Sequence, residues 1–165
     1  MQAIANNLTS PENCGLDYTA QNPTVLAAHT GLIAYKPLYT ASCLKNPSTS
    51  SYCFADAVTN ASSPTDSYVY YLALNTSLPG GSQPTCNTCL QDTMAIFDAA
   101  AANRSQPVAS TYVAAAQQIN VNCGPGFVNA SIPAALSLSP STFSPPASPL
   151  LGLVTVLVCV LATWL

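Results

Sequence analysis

The hydrophobic pattern opens at Asn22-Pro23, where Asn can cap a helix and Pro takes its first position. Val25, Leu26, Leu32 and Ile33 follow on one face at helical spacing. Pro37 is expected to interrupt this helix, and a second one over 37–44 carries Leu38, Tyr39 and Cys43. A short segment over 51–58 turns Tyr52, Cys53, Phe54 and Ala57 inward. SYVYYLAL, residues 67–74, is β-prone by composition and too short to assign by period, so an extended strip packed on helices is the expectation. The strongest pattern covers 85–102, where Cys86, Cys89, Leu90, Thr93, Met94 and Phe97 form one stripe. A last helix over 107–121 starts at Pro107 and faces Val108, Tyr112, Ala115, Ala116 and Ile119 inward. Cys123-Gly124-Pro125-Gly126 ends it in a turn. These elements predict a mainly α fold: a small disulfide-linked helical domain over residues 12–128, followed by a disordered Ser/Thr/Pro stalk over 129–149.

The chain then closes on LLGLVTVLVCVLATWL, residues 150–165, without a charge. As a helix this would span ~24 Å, short of a bilayer core of ~30 Å. No Lys or Arg follows to anchor a cytoplasmic end. Small residues, a polar spacer and a terminal apolar tail together form the signal for a glycolipid (GPI) anchor, in which the tail is removed. Ser137, with Ser139 two positions on and a spacer over 140–149, is the preferred attachment residue. The rivals are a retained tail anchor and a buried terminal helix. MQAIANNLTS has neither a basic n-region nor an apolar h-region, so an exported protein is expected to be trimmed at its N-terminus or to start at a misplaced methionine.

Composition sharpens this picture. Only 5% of residues are charged, and the net charge is −3 with three basic residues. No footprint for nucleic acid exists in such a chain, nor a polybasic patch for anionic lipid. Five Asn-x-Ser/Thr acceptors, Asn7, Asn60, Asn75, Asn103 and Asn129, point to a glycosylated surface that keeps a nearly uncharged domain in solution. Of seven cysteines, Cys159 lies in the apolar tail. Cys14, Cys43, Cys53, Cys86, Cys89 and Cys123 remain, an even set for which three disulfides are the expectation in an oxidising compartment, with the pairing open.

Candidate chemistry is thin. Cys86-Asn87-Thr88-Cys89 has redox spacing but lacks the βαβ context, so separate structural bridges are the preferred reading. No second Cys-x-x-Cys supports a zinc site, and no cofactor or metal is expected. His29 reads as a packed or surface histidine. Asp92 and Asp98 are six apart on one helix and do not face each other, so a hydrolase would need one of them beside Asp56, Asp66 or His29. Tyr39, Tyr52, Tyr68, Tyr70, Tyr71 and Tyr112 are expected mostly in the core, with stacking on sugar rings as the functional alternative.

The segments YVYYLALNTSLPGGSQPTCNTCLQDTMAIF and STYVAAAQQINVNCGPGFVN, with TASCL around Cys43, resemble a family of fungal secreted, GPI-anchored proteins. That family carries a cysteine-containing domain of unknown function, and the likeness covers Cys14 to Asn129. It implies a location at the outer face of the plasma membrane or the cell wall, and brings no catalytic residues. The expected protein is therefore a non-enzymatic, GPI-anchored surface or cell-wall glycoprotein, with membrane lipid and wall polysaccharide as partners. The alternative is a small apolar-ligand module for sterol or lipid, elicitin-like in architecture only, which needs an enclosed cavity of a few hundred Å³.

Overall fold

The computed structural model describes residues 1–131. The stalk beyond that point, Ser137, Cys159 and the apolar tail lie outside the described residues. The described chain runs α1 (Gln2–Leu8), α2 (Gly15–Thr19), α3 (Pro23–Ser42), α4 (Cys53–Thr59), the 3₁₀ segment η1 (Pro64–Leu74), α5 (Thr88–Ala101), the 3₁₀ turn η2 (Pro107–Ser110) and α6 (Tyr112–Cys123). The expected mainly α, disulfide-linked class is what the structure shows. Among the described residues no helix is long and apolar enough to cross a membrane.

α3 starts as the sequence predicts, with the Asn22 side chain accepting from Thr24 N at 3.0 Å. It does not stop at Pro37. One helix continues through to Ser42 and buries Ala34, Pro37 and Ala41 along one stripe. Proline removes one intrahelical bond, but Pro37 is buried in line with the core residues Ala34 and Ala41, on a helix that packs against α5 and η1, and that packing offsets the lost bond. α1 also packs on α3, so the folded part takes in residues ahead of residue 12. Between them, Gly15 sits where a Cβ would lie 2.7 Å from the Ser10 carbonyl oxygen, so only glycine admits this close turn into α2.

SYVYYLAL forms η1 rather than an extended strip. An isolated extended segment has no partner strand for its backbone groups, whereas a 3₁₀ segment satisfies them locally while burying Val69, Tyr70, Leu72 and Ala73. α5 follows the predicted stripe: Cys89, Leu90, Thr93, Met94 and Phe97 are buried. Cys86 lies just ahead of the helix and is exposed. The predicted last helix is divided into η2 and α6, with Thr111 between them donating to the Leu72 carbonyl at 3.0 Å. All five of its predicted inward residues are buried. Gly124, at φ 103°, ends α6.

One core results. Phe97, Leu72, Met94, Ile119, Val69, Val108 and Tyr112 are its largest fully buried side chains, drawn from η1, α5, η2 and α6. Two disulfides brace it. Cys53–Cys89 joins the first turn of α4 to the first turn of α5, and Cys86–Cys123 joins the approach to α5 to the last residue of α6. The two cysteines of the Cys-x-x-Cys thus take different partners, as structural bridges do.

The expected third bridge does not form: Cys14 and Cys43 are free thiols. Tyr18 meets His29 edge-on at 4.9 Å, which sets α2 against the first half of α3. Cys43 caps the other end of α3, ~21 Å beyond His29 at ~1.5 Å per residue. Cys14 leads into α2, which the Tyr18–His29 contact holds against the first half of α3, away from Cys43, and the two sulfurs do not meet.

Candidate functional site

A cleft with a cavity volume of about 70 Å³ opens between α4, η1 and the start of α5. Its walls carry Asp56, Asn60, Asp66, Tyr70, Thr85 and Thr93, and the Cys53–Cys89 bridge borders it. This space is far below the few hundred Å³ that a sterol would occupy.

The cleft brings together Asp56 and Asp66, two acids the sequence left unpaired. Each is engaged by protein donors. Asp56 accepts from Ser51 Oγ at 2.6 Å and Asn46 Nδ2 at 2.9 Å, which hold its carboxyl below the usual carboxylate range. Asp66 accepts from Thr85 N at 2.7 Å, Ser63 Oγ at 2.8 Å and Asn60 Nδ2 at 2.8 Å. These carboxylates tie loops: Asp56 closes the turn over 46–51, and Asp66 pins the approach to α5 against η1. Tyr70 is buried beside them with its hydroxyl 3.4 Å from Thr93 Oγ1. Burial, and then the charges of Asp56 and Asp66, push that phenol up, against the opposing effect of the Thr93 bond.

The other candidates are placed apart. Asp92 is exposed on α5. Asp98 faces the chain exit, accepting from Asn129 Nδ2 at 2.8 Å. His29 packs on Tyr18. Among the described residues the free thiols are Cys14, half-buried, and Cys43, exposed.

The tyrosines divide between core and surface. Tyr70 and Tyr112 are buried, whereas Tyr35, Tyr39, Tyr52, Tyr68 and Tyr71 are exposed. Tyr35 and Tyr39 project from successive turns of α3 with rings nearly parallel, 10° apart, and centroids at 5.7 Å. Tyr52, close enough for its charge to act on the Tyr39 hydroxyl, has the Lys45 ammonium 5.5 Å from its ring centre. The charge that the adjacent Cys43 thiol acquires on ionisation, its hydrogen bond and the neighbouring phenol Tyr35 hold the Tyr39 hydroxyl above the usual phenol range. Tyr35, Tyr39 and Tyr52 thus form one exposed band around the end of α3. The sequence carried its signal, Tyr35 and Tyr39 four apart on a helix, but reading a break at Pro37 put them on separate elements.

The cleft was legible in part too. Ser63-Pro64-Thr65-Asp66 ahead of an apolar run has capping-box spacing, yet no box forms: the Ser63 hydroxyl makes no cap bond to the backbone and instead donates to the Asp66 carboxylate, which helps to position it.

Of the acceptor asparagines, Asn7, Asn75, Asn103 and Asn129 are exposed, and Asn60 is half-buried in the cleft wall.

A family model described as a domain of unknown function (DUF7729) matches residues 1–132. The match takes in most of the 165-residue chain, and the chain belongs to this family. No curated protein and no solved structure matches it.

Proposed function

We propose that this member of the DUF7729 family is an extracellular glycoprotein, held at the cell surface by a lipid attached near Ser137, and that it acts there by contact rather than catalysis. The observation that carries this reading is the pair of disulfides bracing the core, since such bonds persist in oxidising compartments. The small-residue, spacer and apolar-tail sequence supports the lipid. The exposed acceptor asparagines support glycosylation. The contact surface is the tyrosine band, and its partner is a wall polysaccharide. Flat rings with hydroxyl edges suit sugar faces, and the Lys45 ammonium over Tyr52 can donate to sugar oxygens.

A phosphatidylinositol-specific phospholipase should release the protein from intact cells, after control for acyl-inositol anchors. The released polypeptide should lack residues 150–165. A mature mass that keeps them overturns the anchor. For the band, the Y35A/Y39A/Y52A variant should sediment with insoluble wall glucan about tenfold less than wild type, taking each stacked ring at ~0.5 kcal/mol or more. Equal sedimentation refutes this partner.

A further inference from the structure

A glycan joins asparagine through Nδ2 and replaces one of its two amide hydrogens, so a glycosylated side chain keeps a single N–H. The five acceptors differ in what that loss would break. Asn7, Asn75 and Asn103 use the carboxamide oxygen: Asn7 accepts from Asn13 Nδ2 at 3.1 Å, Asn75 from Ser110 Oγ at 2.5 Å, and Asn103 from Ser105 N and Oγ at 3.0 and 2.8 Å. Asn129 donates one N–H, to Asp98, and can keep doing so when substituted.

Asn60 differs. Its Nδ2 donates to Asp66 Oδ2 at 2.8 Å and to Thr85 Oγ1 at 3.2 Å. Its Oδ1 accepts from Ser62 N at 3.1 Å, which fixes which way the amide faces. The amide nitrogen thus has two acceptors in the cleft wall, where a glycosylated side chain would keep one N–H and place a sugar on the same nitrogen. Thr85 N and Ser63 Oγ bond the same Asp66 carboxylate, and Ser63 Oγ reaches the Gln83 carbonyl at 3.1 Å. Asn60 is one member of a closed set that fastens the 83–85 strip to η1.

We infer that Asn60 is an internal staple that stays unglycosylated in the folded, exported protein, while its sugars sit on exposed acceptors whose amide hydrogens the fold does not use, Asn75 and Asn103 among them. Asn75 caps η1 in the left-handed conformation, φ 63°, against the end of η2, and Asn103 leads into the start of η2. Two glycans there would flank η2, and neither asparagine lines the cleft. The glycan half of this inference rests on the export proposed above; the staple half does not.

Two variants separate the roles at Asn60. S62A destroys the acceptor motif but keeps the Asn60 amide and the Ser62 backbone N–H; N60A removes motif and staple together. On full-length protein from the source cells, S62A should leave both the glycoprotein mass and the thermal midpoint as in wild type. N60A should keep the mass, lower the midpoint by several degrees and speed amide hydrogen exchange at Thr85. Glycopeptide mapping should find Asn75 and Asn103 occupied. Loss of one glycan mass in S62A, or a sugar mapped on Asn60, overturns the inference and leaves export standing. A wild-type midpoint and Thr85 exchange in N60A overturn the staple. Absence of sugar at every acceptor overturns export and the glycan half together, while the N60A measurements still decide the staple.

Discussion

Replacing Cys53 and Cys89 by alanine opens a loop of 36 residues between α4 and α5. In the chain-entropy account, cross-linking a loop of that size restricts the unfolded chain by about 3.8 kcal/mol at 25 °C. Cys53 and Cys89 are 1% and 8% exposed, so losing their sulfurs from the core adds a smaller packing cost of the same sign. For a folded unit of this size the unfolding entropy converts 1 kcal/mol to about 3–4 °C, so the thermal midpoint of C53A/C89A should fall by roughly 12–15 °C. C14A/C43A is the control. Both thiols are free, and Cys43 is exposed, so this variant should unfold within about 1 kcal/mol of wild type. The assay is urea or thermal unfolding by circular dichroism, with alkylation and peptide mass mapping of the unreduced protein. Mapping should label Cys14 and Cys43 and protect Cys53, Cys86, Cys89 and Cys123. A C53A/C89A midpoint within 3 °C of wild type, or a peptide joining Cys14 to Cys43, refutes the reasoning.

Phe97, fully buried in α5, should cost about 3–5 kcal/mol on truncation to alanine, read as a lowered urea midpoint with an unchanged slope. Asp56 is held below the ordinary carboxylate range by Ser51 and Asn46. Its contribution is present above that range and lost as pH falls through the lowered value, so the protection of the Asn46 and Ser50 amides, taken against their intrinsic exchange rates, should fall on acidification; D56N should abolish that pH step. Tyr112 is pushed well above the ordinary phenol range by burial first and by Asp98 second. A raised acid of this kind stabilises below the unfolded value near 10 and destabilises above it, so the wild type should lose stability in alkali and Y112F should lose less. Y112F also forfeits the bond to the Asn129 carbonyl, which should cost about 1 kcal/mol at neutral pH.

Where the local pattern and the final environment agreed, the fold was legible. The α5 stripe works because its period alone turns Leu90, Thr93, Met94 and Phe97 to one side, whatever they meet there. Asn22-Pro23 works because a cap is a contact within three residues. η1 and Pro37 failed for one shared reason. Their conformations are held by neighbours distant in sequence: η1 by α3 and α4, and the Pro37 turn by the interface with α5. No window of SYVYYLAL contains that information.

The sequence by itself determined which residues are apolar at helical spacing, how few charges the domain has, and which asparagines and cysteines are available for modification or bridging. Those are properties of single residues and short windows. Only the tertiary structure decided which sulfurs meet, which tyrosines stay outside, and that Asp56, Asn60 and Asp66 share one cleft while Asp98 turns to Asn129. The physical reason is length. A disulfide needs Cα atoms within ~7 Å and a hydrogen bond needs donor and acceptor within ~3 Å. Separations of 36 and 37 residues along the chain are brought to such distances only by the packing of whole helices.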